Sequence, residues 1–381
     1  MGRRVPLSQT RSACRPLLFH RTTPHSPTVS LTELNHLRLR LHALAASAEH
    51  QSRVLRLWAN ALPQTHGKRP LESFLPRTLR DALPALDAEL AGLAQLRSAH
   101  PGAEGDEGER LLVELADGQT VESVLLPRGG LCVSTQVGCA VGCVFCMTGQ
   151  GGLVRQLGSA EIVAQVALAR ARRAVSKVVF MGMGEPAHNL EAVMEAIELL
   201  GTEGGIGHKQ LVFSTVGDAR VFERLLHGRV KPALALSLHT TKAALREQLL
   251  PRAPRIAPAD LVQAGDAYAR ATGYPLQLQW TLIEGVNDGD DEVEALVPLL
   301  AGRRVVLNLI PYNRVEGLPY ARPAGERAAA MARALHRRGV LTKLRRSAAQ
   351  DVDGGCGQLR ARSAPATMAR GPGRVVALVK G

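Results

Sequence analysis

The chain has 381 residues, of which 45% are hydrophobic and 21% are charged, and its formal net charge is +13. This balance excludes an intrinsically disordered chain. No apolar run approaches the roughly 20 residues that span a bilayer, so the sequence predicts a soluble, cytoplasmic protein that does not bind a membrane.

The excess positive charge lies at the two ends of the chain. Residues 1–32 contain five arginines and no acidic residue, and residues 333–381 contain eleven Lys or Arg against two acidic residues. Basic ends around a nearly neutral body favour a phosphate-bearing polymer as partner. The simpler alternative is a general preference for arginine, since the chain has 40 Arg and 7 Lys. We predict that residues 1–30 form a basic arm without stable structure.

Residues 31–105 are expected to form a helical accessory region, because apolar residues between Leu31 and Leu96 recur at helical spacing. The polar stretch Ser98–Arg110, which contains glycines, is expected to be a linker. Residues 106–130 should hold a β-hairpin, since apolar and polar residues alternate on both sides of the turn pair Asp117-Gly118.

From residue 131 the sequence predicts an α/β fold built on a parallel sheet. Short apolar runs alternate with helical segments, which gives a barrel or a doubly wound sheet with right-handed crossovers. We expect residues 131–345 to form this core and residues 346–381 to form a basic C-terminal segment. Polar motifs follow several strands and should converge, because the carboxyl ends of parallel strands share one face. The predicted strands are Leu131–Ser134, Lys177–Met181, Gln210–Ser214, Ala233–Ser237, Leu276–Ile283, Val305–Ile310 and Val340–Leu344, and the predicted helices include Ala160–Arg172, Leu190–Leu200, Ala259–Ala271, Glu292–Leu300 and Gly325–His336.

Three of the six cysteines, Cys139, Cys143 and Cys146, lie within eight residues. In a cytosolic chain this spacing is more typical of a metal site than of a disulfide framework. A zinc site normally needs a fourth Cys or His nearby, whereas three thiolates suit a 4Fe-4S cluster with one iron open to another ligand. We favour the cluster, with zinc as the alternative.

The loop Cys139–Cys146, with Phe145 just before its last cysteine, resembles the radical S-adenosylmethionine (SAM) signature. Seven further motifs resemble, in order, those of the RlmN/Cfr family of RNA adenine methyltransferases. The resemblance spans about Glu122 to Leu359 and implies a partial (β/α)6-type radical SAM barrel, one 4Fe-4S cluster and SAM. The motifs are Cys132–Cys139, Met181–Asn189, Ser214–Gly217, Ser237–His239, Gly285–Asp288, Asn308–Asn313 and Cys356–Leu359.

This resemblance implies methylation of carbon 2 of an adenine in ribosomal RNA, transfer RNA or both. Cys356 would carry the methyl group as S-methylcysteine, and Cys132 would release the covalently bound RNA by forming a disulfide with Cys356. Glu122 would accept the ring proton. Methylation at carbon 8 is one alternative, and an RNA-binding iron-sulfur redox protein without methyl transfer is another.

The same resemblance assigns the cluster ligands to Cys139, Cys143 and Cys146. Gly184 and Glu185 match a SAM contact in which a carboxylate accepts from the methionine ammonium. An electron donor such as flavodoxin or ferredoxin is implied, and the chain is expected to be a monomer. The other implied SAM contacts are Ser214, Ser237, Leu238, His239 and Asn313.

Each assignment has a simpler alternative. Cys132 in an apolar strand often serves only as a small buried hydrophobe. Glu122 on a hairpin is commonly an exposed strand residue, and Glu185 sits where a carboxylate caps a helix start. His239 is readily explained as a hydrogen-bonded core histidine, and Cys356 as a free surface thiol.

Overall fold

The centre of the fold is a ten-stranded mixed sheet. The computed structural model describes Met1 and residues 31–361; the rest of the predicted basic arm, including Cys14, and residues 362–381 of the predicted C-terminal segment lie outside the described residues. The strands are β1 (Ala94–Pro101), β2 (Glu109–Leu115), β3 (Thr120–Leu126), β4 (Gly130–Cys132), β5 (Gln136–Gly138), β6 (Leu153–Gln156), β7 (Lys177–Phe180), β8 (Leu211–Thr215), β9 (Ala233–Ser237), β10 (Leu276–Leu282), β11 (Val305–Pro311) and β12 (Thr342–Leu344).

Helices cover the sheet and connect its parallel strands. None of the described helices is long and apolar enough to cross a membrane. The helices are α1 (Leu34–Ala43), α2 (Ala48–Ala59), α3 (Arg77–Gly92), α4 (Met147–Gln150), α5 (Ser159–Arg170), α6 (Leu190–Gly201), α7 (Ala219–His227), α8 (Ala243–Leu249), α9 (Pro258–Thr272), α10 (Asp290–Leu300) and α11 (Gly325–Arg337).

The strand order in the main sheet is β1-β2-β3-β4-β7-β8-β9-β10-β11-β12. The first four strands pair antiparallel, and every pairing from β4 to β12 is parallel. Strands buried on both faces read as continuous apolar runs, which is why the sequence reveals them. The predicted α/β fold class with a parallel sheet is confirmed, and each predicted strand overlaps an observed one.

The prediction of a linker over Ser98–Arg110 is wrong in part. Strand β1 begins at Ala94, inside the predicted helical region 31–105, which is therefore also wrong at its end. The strand continues into the predicted linker as far as Pro101 and pairs antiparallel with β2, which begins at Glu109. Half-exposed and polar residues dominate β1, so its sequence lacks the alternation that marks a half-buried strand. The pairing depends on backbone hydrogen bonds to β2, which residue patterns do not show.

The predicted hairpin is confirmed, and its register fixes part of the site. In β2 and β3, Arg110 lies opposite Val124, and in β3 and β4 the same Val124 lies opposite Cys132. Residues opposite one another, or two apart on one strand, point to the same face of a sheet. Arg110, Glu122 and Cys132 therefore share one face of three adjacent strands.

The three N-terminal helices pack onto the core rather than standing apart from it. Helix α2 contacts α5, and α3 contacts β1. The Thr32 carbonyl accepts a hydrogen bond from the Ala160 N–H (2.8 Å), and a Cβ on Gly158 would lie 2.1 Å from the same oxygen. The described residues from Leu31 onward belong to one compact unit.

Asn287, which is fully buried, holds the end of β10 against the loop after β9. Its Oδ1 accepts from the Ile283 N–H (2.7 Å), and its Nδ2 donates to the carbonyls of His239 (2.7 Å) and Thr281 (2.8 Å). His239 has a φ of 64°, a left-handed conformation that is uncommon for a residue other than glycine. The amide of Asn287 thus helps to hold a strained residue at the carboxyl edge of the sheet.

We expect Asn287→Ala to lower the free energy of unfolding by about 2–4 kcal/mol, because it leaves buried backbone groups without partners. Urea denaturation followed by circular dichroism measures this change. The control is Glu284→Ala at an exposed position of the same loop, which should cost less than about 1 kcal/mol. Equal losses in both variants would contradict the role assigned to Asn287.

Candidate active site

The motifs that follow β7, β8 and β9 meet at the carboxyl edge of the sheet. The Val216 N–H, just after β8, donates to Glu185 Oε2 (3.0 Å), and Glu185 follows β7. The buried Arg246 donates from Nη2 to the carbonyl of Val216 and to that of Ser237 (3.3 Å) at the end of β9. The predicted convergence of these motifs is confirmed.

Glu185 is buried and engaged mainly by backbone donors. Its Oε1 accepts from the Ala187 N–H (3.0 Å), so Glu185 caps a short helical turn. This agrees with the simpler alternative, in which the carboxylate caps a helix start. Burial raises the pKa of the Glu185 carboxyl to about 7, although hydrogen bonds from Ala187, Thr215 and Val216 oppose the rise. A cationic partner at this place would favour the charged form.

Gly184 forms a close cradle next to this carboxylate. Its φ is +105°, and an added Cβ would lie 2.6 Å from Gln136 Cγ and 2.7 Å from Thr135 Oγ1. Only glycine fits such an approach without displacing its neighbours. The Oγ1 atom of Thr135 is buried without a hydrogen-bond partner among the described residues.

His239 lies against the cysteine loop. Its ring meets that of Phe145 edge to face with 5.0 Å between centroids, and its Nδ1 accepts from the Thr281 N–H (2.9 Å). Burial, with a smaller contribution from the charge of Arg246, lowers the pKa of His239 to about 3. The imidazole is therefore neutral near pH 7, with its Nδ1 acting as an acceptor.

The remaining sequence-predicted SAM contacts occupy the same edge in different settings. Ser214 and Ser237 are half-buried at the ends of β8 and β9. The Leu238 side chain is fully buried in the main core, which leaves its backbone as the part that can face a ligand. Asn313, after β11, is buried and bonds to the C-terminal segment rather than to the other motifs.

The loop with Cys139, Cys143 and Cys146 lies in an apolar cluster separate from the main core, together with Phe145 and Tyr312. Burial raises the pKa of all three thiols, that of Cys139 to about 12. The charges of the other two cysteines add to the rise for Cys143. Thiolates in such surroundings need a bound metal to be stable.

In the part of the chain that the structure describes, no three His, Cys, Asp or Glu side chains are arranged to hold a single metal ion. A 4Fe-4S cluster places each thiolate on a different iron, so its ligands are not gathered around one ion. Three neighbouring thiols in an apolar pocket fit such a cluster. Unpartnered buried polar atoms nearby, Thr135 Oγ1, Arg246 Nε, Tyr312 Oη and Asn313 Oδ1, fit a polar cofactor beside it.

The segment that carries Cys356 is bonded to this loop. The Met147 N–H, directly after Cys146, donates to the Gly357 carbonyl (2.7 Å), and Thr148 Oγ1 donates to the Leu359 carbonyl (2.5 Å). From the other side, Asn313 Nδ2 donates to the Cys356 carbonyl (3.0 Å). The first two contacts bring residues separated by more than 200 positions into one site.

Cys132 lies on the sheet face that bears Arg110 and Glu122, whose side chains bond to the chain on both sides of Cys356. Burial raises the pKa of the Cys132 thiol, and the nearby charge of Cys356 adds to the rise. Cys356 is accessible to solvent, yet the surrounding protein raises the pKa of its thiol, with a further rise from Cys146 that Arg345 opposes. Both thiols are free. The disulfide between them that the resemblance implies is thus not a feature of this structure.

Glu122 is fully buried, so the simpler alternative, an exposed strand residue, is wrong. Its Oε1 accepts from Arg110 Nη1 (2.5 Å), and its Oε2 accepts from the Arg360 N–H (2.9 Å). Arg110 Nε also donates to the Val352 carbonyl (2.5 Å). The pair therefore contacts the C-terminal segment on both sides of Cys356, four residues before it and four residues after it.

Two arginines of the site were not singled out from the sequence. Arg110 pairs with Glu122, and Arg246 bridges the ends of β8 and β9. The hairpin register offers a signal for Arg110, because it places an arginine diagonally across from Glu122 on the same face. Arg246 lies in α8 and shows no such signal.

Comparisons with known proteins identify the family. Residues 133–297 match the radical SAM superfamily. A probable RNA methyltransferase of Methylibium petroleiphilum is 74% identical over 330 residues, covering 87% of this chain and 93% of that protein. Another, from Pseudomonas aeruginosa PAO1, is 63% identical over 336 residues, covering 88% and 96%.

A solved structure agrees with the sequence matches. The crystal structure of a radical SAM methyltransferase from Sphaerobacter thermophilus superposes with a TM-score of 0.74 at 35% identity, covering 87% of this chain and 99% of that one. Its similarity extends well beyond the superfamily match, to the strands and helices on either side. The chain thus belongs to the radical SAM superfamily, in one family with these probable RNA methyltransferases.

Proposed function

We propose that this protein methylates carbon 2 of an adenine in ribosomal RNA, transfer RNA or both, with Cys356 as the methyl carrier. The observation that carries the proposal is the hydrogen bond between Met147 and Gly357, which holds the segment of Cys356 beside the cysteine loop. Glu122, on the sheet face that bears Cys132, bonds to the same segment. The names of the relatives support RNA as substrate. The RlmN/Cfr resemblance supports carbon 2 and includes an electron donor such as flavodoxin or ferredoxin and a monomeric enzyme.

Radical chemistry suits this substrate. An adenine ring carbon has no lone pair that can attack a methyl cation equivalent, so polar methyl transfer fails and a cofactor must supply another route. As radical SAM cofactors, the 4Fe-4S cluster and SAM supply the methyl group and the one-electron chemistry that removes a hydrogen atom from it. Cys139, Cys143 and Cys146 would hold the cluster, and the edge that contains Gly184 and Glu185 would hold SAM.

The two free thiols would have different roles: Cys356 carries the methyl group, and Cys132 releases the RNA. Cys356 would first take the methyl group on its sulfur, losing the thiol proton. After a hydrogen atom is removed, the methylene would bond to the ring carbon, and the ring would lose its proton to Glu122 and one electron to the same one-electron chemistry of the cofactors. Cys132 next attacks the Cys356 sulfur as a thiolate. The S–S bond forms, the S–C bond breaks, and its electron pair leaves with the methylene carbon, which takes a proton to become the methyl group. An external thiol reductant restores both cysteines.

Glu122 is placed to accept the ring proton. One of its oxygens accepts from Arg110 and the other from the Arg360 N–H. A carboxylate oxygen has two lone pairs, so each oxygen can accept a proton while it keeps its present hydrogen bond. These bonds hold the carboxylate against the segment that carries Cys356.

We expect Cys132→Ala, reconstituted anaerobically with SAM, reductant and RNA, to accumulate a protein–RNA adduct, because no thiol remains to break the bond between Cys356 and the RNA. Denaturing gel electrophoresis with labelled RNA measures the adduct. Cys356→Ala is the matched control and should form neither adduct nor methylated RNA. A Cys132→Ala enzyme that turns over normally without an adduct would refute the mechanism.

Glu122→Gln should slow release of RNA from the adduct by about 10²–10⁴-fold, the range by which a general base accelerates proton transfer. Glutamine keeps the hydrogen-bond acceptor for Arg110 but does not accept the ring proton. Single-turnover assays that follow adduct decay measure the rate. The control is Glu114→Gln. Glu114 lies in β2 of the same hairpin and forms a surface ion pair with Arg97, so the variant should behave as wild type.

Mass spectrometry of adenosines from cells with and without the gene tests the substrate and the ring position together. We expect loss of 2-methyladenosine from ribosomal or transfer RNA in the deletion strain, and its return with the wild-type gene. The gene with Cys356→Ala should not restore 2-methyladenosine. Loss of 8-methyladenosine instead would move the proposal to carbon 8, and unchanged RNA would overturn it.

A further inference from the structure

A cavity of about 350 Å³ lies beside the segment that leads to Cys356. It opens between the end of β11, the start of α11 and the residues that follow β12. Its charged lining consists of Arg322, Arg345 and Arg346, and among the described residues that line it none is acidic. The cavity lies outside the cysteine loop and the SAM motifs.

The three arginines have no counter-charge in the part of the chain that the structure describes. The one side-chain hydrogen bond that the structure gives them runs from Arg322 Nη1 to Gln350 Oε1 at 3.4 Å. Two arginines outside the cavity do form ion pairs: Arg327 with Asp290 at 2.8 Å and Arg338 with Glu294. Three like charges around one concave surface repel each other, and an anion between them relieves that repulsion.

Guanidinium groups favour a particular kind of anion. Each presents donors in a planar fork that matches two oxygens of a phosphate, and arginine is weakly hydrated compared with lysine. A phosphodiester carries one negative charge and two free oxygens, which suits a shallow, open site. Base-specific contacts are not needed there, because phosphate contacts position a nucleic acid rather than specify its sequence.

The cavity is tied to the reacting thiol through one side chain. Asn313 Nδ2 donates both to Ser347 Oγ (2.8 Å), directly after Arg346, and to the Cys356 carbonyl (3.0 Å). Arg345 lies close enough to Cys356 to act electrostatically on its thiol. A phosphate held in the cavity would therefore stand next to the place where the base must meet the methyl carrier.

We propose that Arg322, Arg345 and Arg346 bind an RNA backbone phosphate that flanks the target adenosine. This inference rests on the proposed function, because it names how that substrate is held. Enzymes that modify a base draw it out of its stack, and the phosphates on either side of it then lie near the reacting atoms. The site positions the strand so that the unstacked adenine reaches Cys356.

The test compares the full-length double variant Arg322→Gln/Arg346→Gln with Arg333→Gln, an exposed arginine of α11 outside the cavity. Arg345 is left intact because its charge acts on the Cys356 thiol. A fluorescently labelled RNA stem-loop is titrated at several salt concentrations, and the thermal midpoint and iron content of each variant are recorded to confirm folding. Wild-type methylation of the same RNA is measured in parallel.

We expect the double variant to bind RNA at least about tenfold more weakly, with the slope of log affinity against log salt reduced by about one, the change for one lost phosphate contact. Arg333→Gln should match wild type in both. Equal affinity and slope in the double variant and in Arg333→Gln would overturn the proposal. So would equal weakening in both, which would reflect net charge alone.

The same experiment separates the two proposals. If wild type binds RNA through the cavity but does not methylate it, the proposed function fails and the phosphate site stands. If wild type methylates the RNA and the double variant binds it as Arg333→Gln does, the phosphate site fails and the proposed function stands.

Discussion

The hydrogen bond from the Met147 N–H to the Gly357 carbonyl joins the two parts of the chain on which the site depends. One part is a local loop of three cysteines, and the other is a segment that returns from beyond the last strand. Gly357 has a φ of +86°, and a Cβ there would lie 3.4 Å from the Phe145 carbonyl. The segment thus runs against the loop with its backbone, and Cys356 beside it stays exposed with a free thiol.

This packing has an electrostatic consequence at the carboxyl edge of the sheet. Burial favours the neutral form of each titratable group, so the pKa values of the thiols and of Glu185 are raised while that of His239 is lowered. The fixed charge at this edge is then that of Arg246, whose pKa burial lowers only to about 10. Cofactors that bring positive charge would stabilise the ionised thiols and the Glu185 carboxylate there, and the same apolar surroundings keep water away from reactive intermediates.

Local patterns predicted much of the fold, because the parallel strands are buried on both faces and appear as short apolar runs. Strand β1 was not predicted, because its pairing is made by backbone atoms and its side chains are largely half-exposed. The cysteine loop could be predicted because its signal is local: all three cysteines lie within eight residues. Cys356 and Cys132 had no local signal of partnership, and only the resemblance of motifs connected them before the fold placed their thiols together.

The buried pair of Arg110 and Glu122 positions the segment around Cys356 more than it adds to the stability of the fold. Their side chains are only 6% and 0% exposed. An apolar pair of the same volume would hold the strands about as well, since desolvation offsets much of the attraction between buried charges. Apolar side chains would not bond to the Val352 carbonyl or to the Arg360 N–H, the two contacts that flank Cys356. The charged pair therefore couples a carboxylate to the segment that carries the thiol, and it does so on the face of the sheet that Cys132 shares.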